Sequence, residues 1–338
     1  MKFIKSNLLK IDKLLRVIAI PYSALASVIF GMMIISFPIG AYVVFNSNVG
    51  KEINFQYPLD GVDIFLGGIG FKIPIHFEIG DGFIVMWCVY LVLFAISLAG
   101  PQRGLMKALS LVMIEGWQNI KNNALLSMIT WFSILIVFSL IIDFIQHSFG
   151  INIEPPASQN RLIQFFQIST SPLSEEVGFR VLLIGIPLFA IFSQKASLKH
   201  FFKSLWHPSK NLDVTNYKKV IALIITVAIF FGAAHIISGT PWSAGKFSQA
   251  TVAGIIIGWV YFRYGFAPAV LIHWATNYFI FSYTYFISEM TQSPITGEFS
   301  DPFSNTLETL LLISGGIAIV SITLNYIKSK KESTITQV

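Results

Sequence analysis

The segment SEEVGFR at residues 174–180 leads directly into the apolar run VLLIGIPLFAIF at residues 181–192. Two adjacent carboxylates, Glu175 and Glu176, and the guanidinium of Arg180 therefore enter a run of residues typical of a lipid-embedded helix. Ionisable side chains at membrane depth are costly, so they predict a functional role. Whether the whole chain belongs in a membrane decides how this segment is interpreted.

The composition indicates a membrane protein. Hydrophobic residues make up 54% of the 338 positions and charged residues only 12%, compared with about 25% charged residues in soluble domains. The mean hydropathy is +0.69. A soluble domain with this composition could not cover its apolar surface with polar side chains. We therefore predict an all-α polytopic membrane protein, an integral multi-pass protein of the cell membrane.

Apolar runs predict about eight transmembrane helices, because about 20 residues are needed to cross the hydrocarbon core. The predicted spans are residues 17–45, 83–100, 124–145, 173–192, 219–237, 251–262, 267–287 and 310–327. The sixth span carries Gly254 and Gly258, a spacing that suits close helix packing. Two unrelated glycines in a helix that tolerates them are an equally good explanation.

The charges in the connections predict the orientation. A net charge of +6 and a pI near 9.2 could indicate nucleic-acid binding, but the basic residues are concentrated in alternate connections, as the positive-inside rule requires. We therefore expect no nucleic-acid partner and predict that both termini are cytoplasmic. The lysine-poor side holds Lys51, Lys72, Arg161 and Lys246.

Two connections have patterns of their own. Residues 46–82, predicted to be extracytoplasmic, contain the alternating stretch FKIPIHFEI, which favours a small hairpin or a membrane-skimming loop. Residues 193–217 are basic, with aromatic and aliphatic side chains at helical spacing from Phe201 to Trp206. That pattern predicts an amphipathic helix at the surface of an anionic bilayer.

Polar side chains at membrane depth are concentrated in the fourth to seventh predicted spans. They are Glu175, Glu176, Arg180, His235, His273 and Asn277. Glu176 and Arg180 are four residues apart, so they share a helix face and can pair. The same spacing places His273 and Asn277 on one face. His235 follows small residues that allow another backbone to approach.

This set of residues suits the activation of water. A buried carboxylate can act as a general base, and a histidine or asparagine can donate to a developing oxyanion. Alternatively, Glu175, His235 and His273 could provide three ligands to Zn²⁺, with water as the fourth. Both routes lead to hydrolysis of an amide. A transporter or proton relay that uses the same buried charges is the alternative from another class, and a membrane interaction partner without catalysis is a third.

Three motifs occur in order, each on its own predicted span. Glu175-Glu176-x-x-x-Arg180, Phe231-x-x-x-His235 and His273-x-x-x-Asn277 resemble the motifs of the CAAX-protease and bacteriocin-processing family (CPBP) of intramembrane endopeptidases. That family includes type II CAAX prenyl proteases and bacterial abortive-infection proteins. The motifs cover about residues 171–288. The resemblance implies an eight-helix bundle whose site lies in a water-filled cavity open within the membrane.

The resemblance also implies catalytic roles, carried over by motif position. Glu175 would activate the attacking water, and Glu176 would support it and pair with Arg180. His235 would orient or activate the same water. His273 and Asn277 would form the oxyanion site.

The resemblance also bears on the metal and the substrate, and the predicted spans set the domain limits. The family resemblance leaves open whether the enzyme uses Zn²⁺ or no metal. It implies a membrane-embedded or lipidated peptide substrate, such as a prenylated CAAX protein. We predict N-terminal transmembrane helices over residues 1–160, the catalytic helical core over 161–290, and the last transmembrane helix with a polar tail over 291–338.

The depth of the motifs in the bilayer decides whether they can form one site. By the predicted spans, Glu175 and His235 lie toward the outer side, whereas His273 lies about 15 Å from the cytoplasmic end of its helix. A shared site therefore requires the fourth helix to begin earlier, near Arg161, and the fifth helix to be tilted or displaced.

Overall fold

A computed structural model gives the fold and describes residues 2–52, 56–66, 69–153, 160–237, 242–292 and 302–336. The N-terminal half is mainly helical, because backbone groups in lipid must be satisfied within the segment itself. Its helices are α1 (Lys2–Asn46), α2 (Asn48–Glu52), α3 (Ile79–Ala99), α4 (Leu105–Glu115) and α5 (Ala124–Ser148), with a 3₁₀ turn over Trp117–Asn122.

The C-terminal half contains the predicted site residues. Its helices are α6 (Arg161–Glu176), α7 (Ile186–Phe192), α8 (Leu198–Trp206), α9 (Pro208–Asn211), α10 (Tyr217–Ile237), α11 (Lys246–Tyr264), α12 (Phe266–Trp274), α13 (Ile280–Thr291) and α14 (Pro302–Thr336). A π-helical segment over Val177–Gly185 joins α6 to α7, and a second over Ala275–Phe279 joins α12 to α13. Each of these pairs therefore forms one continuous helical rod.

Five ranges in the described part of the chain are long and apolar enough to cross a membrane. They are Leu8–Asn46, Ile79–Ala99, Ala124–Ser148, Tyr217–Ile237 and Pro302–Glu332. They match the first, second, third, fifth and eighth predicted spans, and helices also cover the other three. The all-α polytopic membrane fold is confirmed. The exact number of spans and the orientation stay predictions.

The fourth helix differs from its prediction. The predicted span began at Leu173, but the helix begins at Arg161 and continues through Pro172. A proline inside a helix has no backbone N–H, so the carbonyl four residues earlier does not accept its usual helical hydrogen bond. Here the side chain of Asn277 supplies a donor to Ile168 O at 3.0 Å. A tertiary contact therefore serves the carbonyl that the interior proline leaves without its helical donor.

The connection after α1 contains short strands. β2 (Val62–Leu66) and β3 (Ile69–Ile73) form an antiparallel hairpin, and β1 (Pro58–Leu59) pairs with β4 (Phe77–Glu78). The hairpin predicted within residues 46–82 is thus present. β2 packs against α6 and against the π segment Val177–Gly185, so this connection lies beside the helix that carries the two glutamates.

α10 and α11 pack together at close range. A Cβ added to Gly254 of α11 would lie 3.0 Å from Ala228 Cβ on α10. A Cβ added to Gly232 of α10 would collide with Thr251 Oγ1 of α11. The close approach predicted from these small residues is confirmed. It brings the C-terminal end of α10, which carries His235, against the N-terminal half of α11.

The basic connection after α7 contains the predicted helix. α8 spans Leu198–Trp206, with Leu205 buried and Phe202 and Trp206 exposed. An exposed aromatic face of this kind suits the bilayer interface. Contact with anionic lipid stays a prediction.

Candidate active site

The three motifs meet where α12 packs against α6, and α10 packs against the π segment that continues α6. Glu175 and Glu176 end α6, and Arg180 lies one turn later in the first π segment. His235 lies in the last turn of α10. His273 lies near the end of α12 and Asn277 in the second π segment, completing the set of predicted residues.

Glu176 links Arg180 to His273. Its Oε2 lies 2.9 Å from Arg180 Nε, and its Oε1 lies 2.9 Å from His273 Nδ1. The contact with Arg180 is an ion pair by distance, although the N–H bond is not directed at the oxygen. Glu176 and Arg180 are fully buried, with 0% of each side chain exposed. The pairing predicted from the i,i+4 spacing is therefore present in the structure, and it holds the imidazole of His273 in place.

The guanidinium of Arg180 lies over an aromatic ring. Its central carbon is 4.7 Å from the ring centroid of Phe231, a cation–π arrangement. Among the described residues, neither Nη atom has a hydrogen-bond partner. The ring of Phe231 also meets His235 and His273 edge to face. Phe231 therefore packs as a spacer between the arginine and the two histidines.

Glu175 is the more accessible of the two glutamates. Its side chain is 16% exposed, whereas that of Glu176 is 0% exposed. Its Oε2 lies 3.8 Å from His273 Nε2, which is too long for a hydrogen bond. Among the residues that the structure describes, this oxygen has no hydrogen-bond partner. Oε2 of Glu175 is therefore a buried acceptor without a hydrogen-bond partner in the described part of the chain, next to the second nitrogen of His273.

His235 is held by its own helix. Its Nδ1 lies 2.9 Å from Phe231 O. A carbonyl oxygen can only accept, so Nδ1 carries the hydrogen and Nε2 of the neutral ring is an acceptor. The groups that act on the ring electrostatically include Glu175, Lys246 and His273. His235 thus belongs to the same electrostatic cluster as the two other motifs.

Asn277 bonds to α6 rather than standing free. Its Nδ2 donates to Ile168 O at 3.0 Å and to Ser171 Oγ at 3.1 Å. These bonds use both hydrogens of the amide group. Ile168 O is the carbonyl that lacks its usual helical donor because residue 172 is proline. In this structure Asn277 ties the second π segment to α6, one to two turns before Glu175.

Both π segments lie next to motif residues. One carries Arg180 and the other carries Asn277. Single π-helical turns in α-helices occur frequently at functional sites, because the extra residue per turn redirects the side chains that follow. The early start of α6 places Glu175 fifteenth in its helix. The requirement that the fourth helix begin near Arg161 is therefore met.

The geometry bears on whether the residues fit a metal. Two imidazoles and a carboxylate are suitable zinc ligands by chemical type. However, no group of three His, Cys, Asp or Glu side chains in the described ranges is arranged to hold a metal ion. The arrangement of Glu175, His235 and His273 therefore does not fit a three-ligand zinc site.

Two further residues approach the glutamates without belonging to a motif. Tyr90 of α3 is buried, donates to Ser169 O at 2.7 Å and is acted on electrostatically by Glu175 and Glu176. Lys246, at the start of α11, is acted on by Glu175. Tyr90 lies within an ordinary apolar run, which carries no signal. Lys246 carried a signal, since it is one of few cations on the lysine-poor side.

Comparison with known proteins agrees with this geometry. Residues 158–279 match the family described as type II CAAX prenyl endopeptidase Rce1-like. No curated protein and no solved structure matches the chain. The matched residues include all three motifs. The predicted resemblance is thereby confirmed: residues 158–279, which carry the three motifs, match the family model of the type II CAAX prenyl endopeptidases.

Proposed function

We propose that the protein hydrolyses a peptide bond near the C terminus of a membrane-associated substrate, using water activated by Glu175. The observation that supports this most directly is the free carboxylate oxygen of Glu175, 3.8 Å from His273 Nε2. Beside it, the buried Glu176–Arg180 pair fixes the imidazole of His273. A carboxylate with an open acceptor next to a fixed donor is the arrangement that general-base hydrolysis needs.

The attacking water lies between Glu175 and His235 in this proposal. Nε2 of His235 accepts one water hydrogen, which orients the molecule, and Glu175 removes the other. The resulting hydroxide attacks the carbonyl carbon of the substrate and forms a tetrahedral oxyanion. Glu175 then passes its proton to the departing amine, so that one carboxylate serves first as base and then as acid.

His273 stabilises the oxyanion from Nε2. Its Nδ1 hydrogen is directed at Glu176, so Nε2 can donate only when the ring is an imidazolium. With both glutamates ionised, Arg180 and the imidazolium give the buried cluster no net charge. A neutral cluster is much less costly to bury than a charged one.

Asn277 has a positioning role in this proposal. The oxyanion role predicted for it requires at least one of its bonds to Ile168 O and Ser171 Oγ to break. As it stands, the amide holds α6 in the register that presents Glu175. The two roles predict different activities for the double variant Asn277→Ala/Pro172→Ala.

The substrate proposed is a prenylated CAAX-type peptide, meaning a lipidated cysteine followed by three C-terminal residues. The family match and the intramembrane location support this choice. The test is cleavage of a fluorogenic S-prenylated CAAX peptide by the protein in detergent micelles, with product masses determined. We expect cleavage by wild type and by the control Lys218→Gln, which alters an exposed lysine on α10, and none by Glu175→Ala. Equal cleavage by Glu175→Ala would contradict the proposal.

A further inference from the structure

Lys246 is a cation beside the site that none of the three motifs includes. It is the first residue of α11 and is only partly exposed. Its backbone N–H donates to Ser243 O at 3.0 Å. Since α11 begins here, the positive end of the helix dipole adds to the charge of the ammonium group. Positive potential is therefore concentrated at this end of α11.

The contacts of the ammonium group are with neutral groups. Nζ donates to Gln249 Oε1 at 2.8 Å and lies 4.2 Å from the ring centroid of Trp242. Within the described ranges, no carboxylate lies within ion-pair distance of it. An amide and an aromatic ring orient an ammonium group without neutralising its charge. The side chain is thus held in place with its charge still available to an anion.

A short chain of contacts connects Lys246 to the catalytic cluster. The backbone N–H of Trp242, whose ring lies against Lys246, donates to His235 O at 3.0 Å. Lys246 is also in electrostatic interaction with Glu175 and with His235. It is therefore close enough to the reacting centre to contact a substrate bound there, yet it forms no ion pair with Glu175 in the structure.

We propose that Lys246 determines substrate specificity by binding the C-terminal carboxylate of the substrate. This inference rests on the proposed function. In a CAAX-type peptide three residues follow the cysteine, and three extended residues span about 10 Å. Opposite charges about 10 Å apart still interact in a site of low dielectric constant. The electrostatic interaction of Lys246 with Glu175 is therefore compatible with a separation of that length. A cation with neutral contacts, set to one side of Glu175, matches the anion that such a substrate must carry there.

The competing explanation is that Lys246 acts only on Glu175, by favouring its ionised form. In that case the loss of Lys246 would slow every substrate by the same factor. If Lys246 binds the terminal carboxylate, its loss affects only substrates that have one. The two explanations are therefore separated by comparing a peptide that has a free C-terminal carboxylate with the same peptide ending in a neutral amide.

The experiment measures kcat/KM for the acid and amide forms of one S-prenylated CAAX peptide. A hydrogen bond to a charged group is worth enough to change kcat/KM about tenfold or more. We expect wild type and the control Lys218→Gln to prefer the acid by at least about tenfold. We expect Lys246→Gln to lose that preference by slowing on the acid alone, and Lys246→Arg to retain most of it.

The outcomes separate this inference from the proposed function. Cleavage of acid and amide at equal rates by wild type would overturn the role of Lys246 and leave the protease activity established. An equal slowing of both peptides in Lys246→Gln would also overturn it, in favour of an effect on Glu175. If Lys246→Gln does not fold, the preference of wild type and of Lys246→Arg decides. Cleavage of neither peptide by wild type would overturn the proposed substrate and, with it, the inference.

Discussion

Removing the amide of Asn277 tests how α6 is held together around Pro172. In Asn277→Ala, Ile168 O loses its bond at 3.0 Å and Ser171 Oγ loses its bond at 3.1 Å. Ser171 Oγ still donates to Ile168 O at 3.2 Å, so the carbonyl keeps one of its two side-chain hydrogen bonds. A poorly satisfied buried polar group costs about 1–3 kcal/mol. That cost corresponds to a drop of about 1–4 °C in the Tm of the purified protein.

A second substitution can return the missing donor. Pro172→Ala provides a backbone N–H at the position from which a helix bonds to Ile168 O, and it removes the steric conflict of an interior proline. If Asn277 acts by serving this carbonyl, the double variant Asn277→Ala/Pro172→Ala should be more stable than the sum of the two single effects predicts. We expect a coupling of about 1 kcal/mol, well above the ~0.5 kcal/mol scatter of independent sites.

The assay is thermal unfolding in detergent together with peptide cleavage. Asn325→Ala is a matched control, because Asn325 also donates to a helix carbonyl, Ser321 O at 2.9 Å, but in α14. We expect Pro172→Ala to leave the Asn325→Ala effect unchanged. Additive effects of Asn277→Ala and Pro172→Ala would refute the reasoning. A double variant that regains stability but stays inactive would show that Asn277 acts on the reaction itself, as the oxyanion role requires.

Four further predictions follow from the site. Arg180→Met should lower stability by about 3–5 kcal/mol, because it removes one partner of the fully buried Glu176–Arg180 ion pair; adding Glu176→Gln should restore most of the Tm, and an unchanged Tm in Arg180→Met would contradict this. Glu175→Gln should abolish cleavage while leaving the Tm near that of wild type. His273→Gln should lower kcat about 10²–10³-fold, the usual cost of losing an oxyanion donor; a wild-type kcat would remove His273 from the mechanism. Because the site does not fit a metal, a zinc chelator should leave cleavage unchanged, and loss of activity restored by Zn²⁺ would show the opposite.

The sequence predicted the membrane fold, and it predicted from independent signals the residues that come together in the candidate site. Apolar runs placed helices in every predicted span, because the bilayer allows few other structures. The i,i+4 spacings of Glu176 with Arg180 and of Phe231 with His235 predicted that each pair shares a helix face. Both pairs are in contact. Features that depend on a single helix or on composition could therefore be predicted from the sequence.

Features that depend on contacts between helices could not be predicted from the sequence. The early start of α6 relies on Asn277, a residue more than a hundred positions later in the chain, to serve Ile168 O. The two π segments carry no sequence signal, since their geometry follows from packing. The sequence identifies Lys246 only as one of the few cations on the lysine-poor side, because its proximity to Glu175 depends on how α10 and α11 pack.

The measurement that tests the central claim most directly is a single turnover in water enriched in ¹⁸O. The wild-type protein, in excess over a prenylated CAAX peptide, should place one ¹⁸O atom in the new carboxyl group of the product, because water attacks directly. Glu175→Ala should form no product under the same conditions. A first-turnover product without ¹⁸O would show that a protein carboxylate attacks instead of water. That result would contradict the account of Glu175 as the base that activates water.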